Sequence, residues 1–408
     1  MRNNQKLLDY IKQGWINCVV DKRQNYDNDD LPVVAPFTPP CLKGLFRTLF
    51  YWDTYFTNVG LLIDNNYQMV KDNLLNFAHF IEQYGYIPNS AKKCGLICSQ
   101  PPFFSVMLFE YYQVSLDVWC LNEGVKALEK EYIYFTTKNH RTVKNSLLRY
   151  GHNEEYINDN TMPGHINYYA DRLKKDKKEV THDFVLSKLA EGEGGWDTTP
   201  RYFDKGFDYA PIDLNCLVYL MEKNLSFFYG LKGDSKKQKQ YLNLAKTRHK
   251  DLMNLCKGDD GIYYDYNAKE NKRSDYITGA SFYPYFVGIE TSDKGIDKLL
   301  KELEYPFGLS CVQNRNQEEI MQWDFPNLWP PLILIAVRGL KNINRIEDAK
   351  RLAKKYMDMV EKEFERTGEL WEKYDVTHGQ KASHHEYSET QMLGWTAGVY
   401  LDCYRLFG

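Results

Sequence analysis

The sequence predicts an all-α fold, an (α/α)6 toroid of six inner and six outer helices with short strands in its loops. Two observations carry this expectation. Helical periodicity runs from about residue 52 to 406, and its segments alternate between those apolar almost all round and those striped on one face. A helix apolar all round is buried on every side, whereas a striped helix keeps one wet face, so alternation implies one ring inside another. The segments 52–64, 67–83, 102–116, 120–138, 180–191, 212–230, 234–256, 277–290, 292–304, 325–341, 345–365 and 388–406 make six pairs. A helical solenoid would show a repeating sequence period, and none is present. No low-complexity stretch or Pro/Gly/Ser linker divides the chain, so residues 1–408 read as one domain.

Each element has a local rationale. Residues 53–64 are rich in apolar and aromatic positions, and 67–83 are mixed. Residues 102–116 are apolar nearly all round, whereas 120–138 carry Glu and Lys on one face. The run from Ile212 to Met221 is almost wholly apolar, and the Lys-rich 234–256 follows with Asp234 as N-cap and Gly258 as stop. Residues 329–340 place Pro330 and Pro331 in a first turn, where a missing N–H costs nothing. In 345–365, Ile346, Ala349, Ala353, Tyr356, Val360 and Phe364 keep a single apolar stripe. Short strands are expected at 261–266 and 369–375.

Composition narrows the function. The 52 Lys+Arg nearly balance 55 Asp+Glu, which excludes a polybasic nucleic-acid footprint. The short basic runs 174–178 and 236–239 lack interleaved aromatics and read as wet faces or loops. No apolar run reaches the roughly 18 residues of a membrane span, and no signal-peptide core follows Met1. The expectation is a cytoplasmic protein, monomer or homodimer, with neither nucleic acid nor membrane as partner. The nine cysteines are odd in number, scattered and mostly in apolar stretches, as buried thiols of a reducing compartment are. Cys94 and Cys98 lack a second pair or His partner at zinc spacing, and His378, His384 and His385 read as solvated loop residues, so no metal is expected. Aromatic residues make up 15% of the chain, enough for a large core and for a site where sugar faces stack on rings.

Trp-Asp recurs at 52–53, 196–197 and 323–324, more often than eight tryptophans would place it by chance. Each pair lies in a loop entering, or just before, a helix, and in a toroid such loops converge on one mouth. Indole faces beside carboxylates suit a pyranose, whose C–H faces pack on rings while its hydroxyls bind acid oxygens. Taken singly, each pair also fits a helix N-cap beside a core tryptophan. Glycoside hydrolysis needs one carboxyl to protonate the leaving oxygen and another to activate water. Asp53, Asp197, Asp324, Glu372, Asp375 and Glu386 are candidates, and spacing does not choose among them.

Ordered motifs add to this reading. Phe50-Tyr51-Trp52-Asp53-Thr54-Tyr55, Ile87-Pro88-Asn89-Ser90, Ser99-Gln100-Pro101-Pro102, Glu193-Gly194-Gly195-Trp196-Asp197-Thr198-Thr199-Pro200-Arg201-Tyr202, Gln322-Trp323-Asp324-Phe325-Pro326-Asn327-Leu328-Trp329, Glu372-Lys373-Tyr374-Asp375-Val376 and Gly394-Trp395-Thr396-Ala397-Gly398-Val399 follow one another along the chain. In this it resembles the α,α-trehalase family, inverting glycoside hydrolases with an (α/α)6 toroid, collinearly from about residue 36 to 404. The resemblance implies Asp197 as general acid and Glu372 as general base. It implies sugar contacts from Phe46, Arg47, Trp52, Asp53, Asn89, Gln100, Arg172, Trp323, Glu386 and Trp395, a small saccharide substrate, and no cofactor. Desolvation between Trp196 and small residues is expected to keep the Asp197 carboxyl protonated.

The chain also departs from the family pattern. A family arginine is replaced at Leu45, another at Cys98, and the neighbour of Arg172 that is Glu in the family is Lys174. The glycine-rich lid segment has become Lys381-Ala382-Ser383-His384-His385. Each lost arginine removes charge-assisted hydrogen bonds of about 1.5–3 kcal/mol apiece, which Lys92 and Lys93, lacking the planar fork, replace only in part. Hydrolysis of trehalose or a related small α-glucoside is therefore the first expectation. Hydrolysis of another α-glycoside, such as an α-mannoside or a glycosylglycerate, is the second. A catalytically silent sugar-binding protein on the same scaffold is the third.

Overall fold

The computed structural model describes residues 4–21, 28–44, 46–137, 141–316, 320–383 and 391–408. In chain order the helices are α1 (Gln5–Cys18), α2 (Tyr51–Ile63), α3 (Tyr67–Tyr84), α4 (Phe104–Ser115), α5 (Val125–Thr137), α6 (Met162–Leu173) and α7 (His182–Glu193). They continue as α8 (Ile212–Leu231), α9 (Ser235–Leu255), α10 (Tyr283–Phe286), α11 (Ile296–Leu303), α12 (Pro330–Asn342), α13 (Ile346–Thr367) and α14 (Gly394–Phe407). Helix α2 packs on α4, α4 on α8, α8 on α10, α10 on α12, α12 on α14, and α14 returns to α2, which closes an inner ring of six.

Burial explains this sorting. Every residue of α2 from Tyr51 to Leu61 is buried, and α8 and α12 are nearly as enclosed. Outside them, α9 buries only Tyr241, Ala245, Arg248, Asp251 and Leu252, a narrow stripe at helical spacing. Helix α11 buries Ile296, Leu299, Leu300 and Leu303, at i, i+3, i+4 and i+7. Helix α13 keeps its predicted stripe apart from the exposed Ile346. The Asp234 side chain accepts from Lys237 N as the N-cap of α9, and Pro330 opens α12, both as expected.

Several boundaries differ from the sequence reading. Helix α1 is additional to it, because Leu7, Ile11, Trp15 and Cys18 stand in a largely polar run. It lies on the outer layer, with Tyr10 against Phe364 and Trp15 Nε1 donating to Asp64. The segment 180–191, expected in the ring, instead forms α7, which pairs with the unanticipated α6 around a separate small core of Ile157, Met162, Tyr169, Ala170, Val180, Val185 and Leu189. The segment 277–290 shrinks to a 3-10 turn and the single-turn α10, with Pro284 in the first turn and Gly288 at φ +74° just beyond it. Residues 325–329 are not helical; Asn327–Leu328 pairs antiparallel with Tyr374–Asp375, which in turn pairs with Gln380–Lys381. The strand expected over 261–266 is reduced to Tyr266–Asn267 and a bridge between Lys257 and Tyr263.

The ring closes through a contact that has no room for side chains. A Cβ on Gly398 of α14 would lie 1.9 Å from the Phe56 carbonyl oxygen, and one on Gly60 of α2 would lie 2.8 Å from the Gly398 Cα. Both obstacles are backbone, so neither can rotate away. Gly398→Ala is expected to cost about 3 kcal/mol of stability, read as a lower urea midpoint at unchanged slope.

Candidate active site

The N-terminal ends of α2 and α14 and the segments leading into α4, α8 and α12, five of the six inner helices, meet at one mouth. There they surround a cavity of about 120 Å³. Trp52 and Asp53 come from the first turn of α2, Gln100 from the loop before α4, Asp197 and Gly195 from the segment before α8, and Trp323 and Trp329 from the loop entering α12. Glu372 stands between α13 and α14, Trp395 in the first turn of α14, and Phe46, Phe50, Asn89, Gln322 and Met392 complete the wall. Helix N-termini present unpaired N–H groups and a positive dipole end, a setting for acceptor oxygens. One of these groups, Trp52 N, already donates to Gln100 Oε1 at 3.1 Å.

Four tryptophans, Trp52, Trp323, Trp329 and Trp395, stand in the wall. Trp323 stacks on Trp329 with centroids 3.9 Å apart and planes 4° apart, and on its other neighbour Trp196 at 5.0 Å. Trp52 meets Trp323 at 5.7 Å and Trp395 edge-on at 6.1 Å. Gly195 is required here twice over: its φ is +72°, and a Cβ would stand 2.8 Å from the Trp52 ring. The segment after it is tied to the α12 loop by Trp323 N donating to Thr198 O and Thr199 Oγ1 donating to Trp323 O, each at 3.2 Å. Thr198 itself is left-handed at φ +56°, a costly conformation for a β-branched residue and one that recurs at functional sites.

The carboxyls differ in their surroundings. Asp53 is buried, and its pKa is pushed up to about 8 by desolvation first and then by the charges of Glu372 and Asp197. Asp53 thus senses both of the other acids across the cavity. Glu372 is also buried, and its carbonyl accepts from Trp395 Nε1 at 2.9 Å. Asp197 does not have the desolvated environment expected of it: its side chain is 45% exposed, and Arg172 Nη2 lies 3.3 Å from Oδ2. The Trp196 indole turns inward to the stack, which leaves the next side chain at the open rim beside α6.

Buried ion pairs hold these loops. Arg141 grips both Glu193 oxygens, at 2.6 and 2.9 Å, with both side chains fully buried. Glu193 also accepts from Gly151 N and Ser99 N, so the end of α7, which leads to Asp197, shares an anchor with the Gln100 loop. Arg201 makes four hydrogen bonds to Asp213 and Asp265 and rests 4.5 Å from the Trp196 centroid. Breaking a buried pair of this kind by removing one partner typically costs about 3–5 kcal/mol.

Of the predicted site residues, Phe46, Trp52, Asp53, Asn89, Gln100, Asp197, Trp323, Glu372 and Trp395 line the cavity. Arg172 reaches it through Asp197. Arg47 is not part of the wall and donates instead to Leu42 O. Asp324 accepts from Met321 N and Phe325 N in a turn outside the wall, with burial pushing its pKa up to about 6. Asp375 accepts from Thr377 and His378. Glu386, His384, His385 and Leu45 lie outside the described residues. Lys92 pairs with Asp30, and Cys98 is a buried free thiol near Asp197. Among the described residues no group of three or more His, Cys, Asp or Glu is placed to hold a metal ion. Phe50, Gly195, Gln322, Trp329 and Met392 join the wall without having been singled out as contacts, although Gln322 and Trp329 flank Trp323 within one motif.

The Asp53 environment has a sign that can be tested. Unfolded, its carboxyl ionises near 3.8; folded, at about 8. The folded state therefore prefers the neutral acid, a stabilisation complete below the unfolded value and lost as pH rises through the window, at about 1.4 kcal/mol per pH unit. Asp53→Asn should flatten this slope, so that urea melts show the variant gaining on the wild type steadily between about pH 4 and 8.

Residues 3–408 match the family model for trehalase. The periplasmic trehalase of Salmonella paratyphi A is 31% identical over 426 aligned residues, covering 97% of this chain and 73% of that protein. The neutral trehalase of Saccharomyces cerevisiae superposes with a TM-score of 0.77 at 25% identity, over 91% of this chain and 74% of the other. A mannosylglycerate hydrolase from Thermus thermophilus shares the fold, with a TM-score of 0.62 at 13% identity over 98% of each chain. A helical ring closed on itself, a tryptophan-walled mouth carrying Asp197 and Glu372, and similarity over almost the whole length together place this chain in the trehalase family of glycoside hydrolases.

Proposed function

We propose that the cavity hydrolyses trehalose with inversion of configuration, with Asp197 as general acid and Glu372 as general base. The observation that carries this reading is the convergence of these two acids, from loops far apart in the chain, on one tryptophan-walled cavity. Asp197 delivers its proton to the glycosidic oxygen as the C1–O bond breaks. Glu372 takes a proton from a water whose oxygen attacks C1 from the opposite face. An inverting pair needs about 6.5–9.5 Å between carboxyls to admit that water. One glucose leaves as the α anomer and the other is formed as β, and exchange with solvent restores both acids.

The wall supports the same chemistry. Indole faces take the apolar side of a pyranose and exclude water. Asp53, neutral through burial at physiological pH, both donates to and accepts from a sugar hydroxyl. A leaving sugar seated against Arg172 would cover the exposed side of Asp197 and bring the glycosidic oxygen to its carboxyl. The buried Cys98 near this rim, where the family carries arginine, favours a second reading in which the leaving group is smaller than glucose, as in a glycosylglycerate.

Proton NMR of the first turnovers on a panel of trehalose, other α-glucosides, α-mannosides and glycosylglycerates separates these readings and reports stereochemistry directly. Trehalose should give equal α- and β-glucose before mutarotation. Asp197→Asn and Glu372→Gln should each lower turnover by about 10³-fold or more with little change in melting temperature. Robust activity in either variant would reassign that role, and release of only retained anomers would overturn inversion.

A further inference from the structure

Between the two proposed catalytic acids runs an unbroken series of ring contacts with a buried cation at each end. It begins at Arg201, fully buried and held by Asp213 and Asp265, whose guanidinium lies 4.5 Å from the Trp196 centroid. Trp196 stacks on Trp323 at 5.0 Å, and Trp323 on Trp329 at 3.9 Å. At the far end the Lys373 ammonium lies 4.9 Å from the Trp329 centroid and donates to Gln322 Oε1 at 2.5 Å. Trp196 immediately precedes Asp197, and Lys373 immediately follows Glu372. The first ring of the series and the cation at its far end thus belong to residues adjacent to an acid, with Cα atoms about 3.8 Å apart.

Cations are drawn to indole faces and rings to one another, and in a dry interior both attractions are directional. Close-packed side chains transmit displacement, because no void absorbs it. A shift at either end of the series thus moves the neighbouring carboxyl relative to its counterpart. We propose that Arg201 and Lys373 are positioning residues that clamp the Trp196–Trp323–Trp329 stack from its two ends and so set the separation of Asp197 and Glu372. The inference rests on the acid and base assignment above and adds to it what holds the two groups at working distance. A misplacement of about 1 Å costs on the order of 10²-fold in rate.

The test uses the full chain with two substrates. Trehalose needs both acid and base, whereas α-glucosyl fluoride carries a leaving group that departs with little help from an acid and so reads the base step. Arg201→Lys keeps the buried charge but loses the planar fork. It is expected to lower kcat on trehalose about 10- to 100-fold, with KM within about threefold, while the fluoride rate falls far less. Lys373→Met and Lys373→Gln, the second able to keep the hydrogen bond to Gln322, are expected to lose about 10- to 100-fold on both substrates. Near-ultraviolet circular dichroism should show the tryptophan bands altered in all three. A purely structural role would lower the melting temperature yet leave kcat per folded molecule and the ratio between substrates unchanged, and that result overturns the proposal. Should Arg201→Lys not fold, the Lys373 pair decides. A wild type inactive on both substrates would instead sink the functional reading, and the positioning roles with it.

Discussion

Helix α14 can lie against α2 only where Gly60 and Gly398 omit their side chains, and that closure turns a row of helices into a ring. The functional geometry depends on it. The closed ring brings the N-termini of α2 and α14, and the segments that lead into α4, α8 and α12, to a single mouth. Residues as distant in sequence as Trp52, Asp197, Trp323 and Glu372 then share one cavity. The long-range order is carried by helix packing, and the loops need only be held locally.

That local holding relies on charge placed where water does not reach. Arg141 with Glu193, and Arg201 with Asp213 and Asp265, are buried pairs with several hydrogen bonds each. Such pairs add little net stability against apolar replacements, because desolvation offsets the attraction, but they tolerate few alternative geometries. Loop segments at a protein surface are ordinarily its most mobile parts. Here Glu193 instead fixes the end of α7 to the Ser99–Gln100 loop, and Thr198 and Thr199 fix the segment after Trp196 to Trp323 in the loop entering α12. The left-handed Thr198 indicates that this fixation is strong enough to hold an unfavourable backbone.

Much of the ring is legible in the sequence because all-round burial leaves an unambiguous composition: α2, α4, α8 and α12 stand out as apolar runs. Helices α1 and α6 are not, since a few buried positions in a polar run give a weak stripe. Segment 180–191 shows the limit differently: its helix is recognisable, but whether a helix joins the ring or packs beside it depends on partners that periodicity does not name. The short α10 holds a ring position with one turn, which no length rule anticipates. In the site, the Trp-Asp pairs locate Asp53 and Asp197, whereas Asp324 looks identical in sequence and serves a turn. Adjacent residues can also face opposite ways: Trp196 enters the stack while Asp197 meets Arg172 at the rim. Arg201 and Lys373 lie within recognisable motifs, yet nothing in a linear string tells which ring a cation will meet.

The small α6–α7 core, apart from the main one, has an evolutionary consequence. It supplies Arg172, the contact at the rim of Asp197, while Glu372 and the tryptophan wall belong to the ring. Substitutions in this annex leave the packing of the larger core untouched, so under the proposed acid assignment the surroundings of Asp197 can diversify while Glu372 and the tryptophan wall stay put. A lineage could retune what it cleaves by editing a few dozen residues around 157–189, much as a tool changes its bit and keeps its drive.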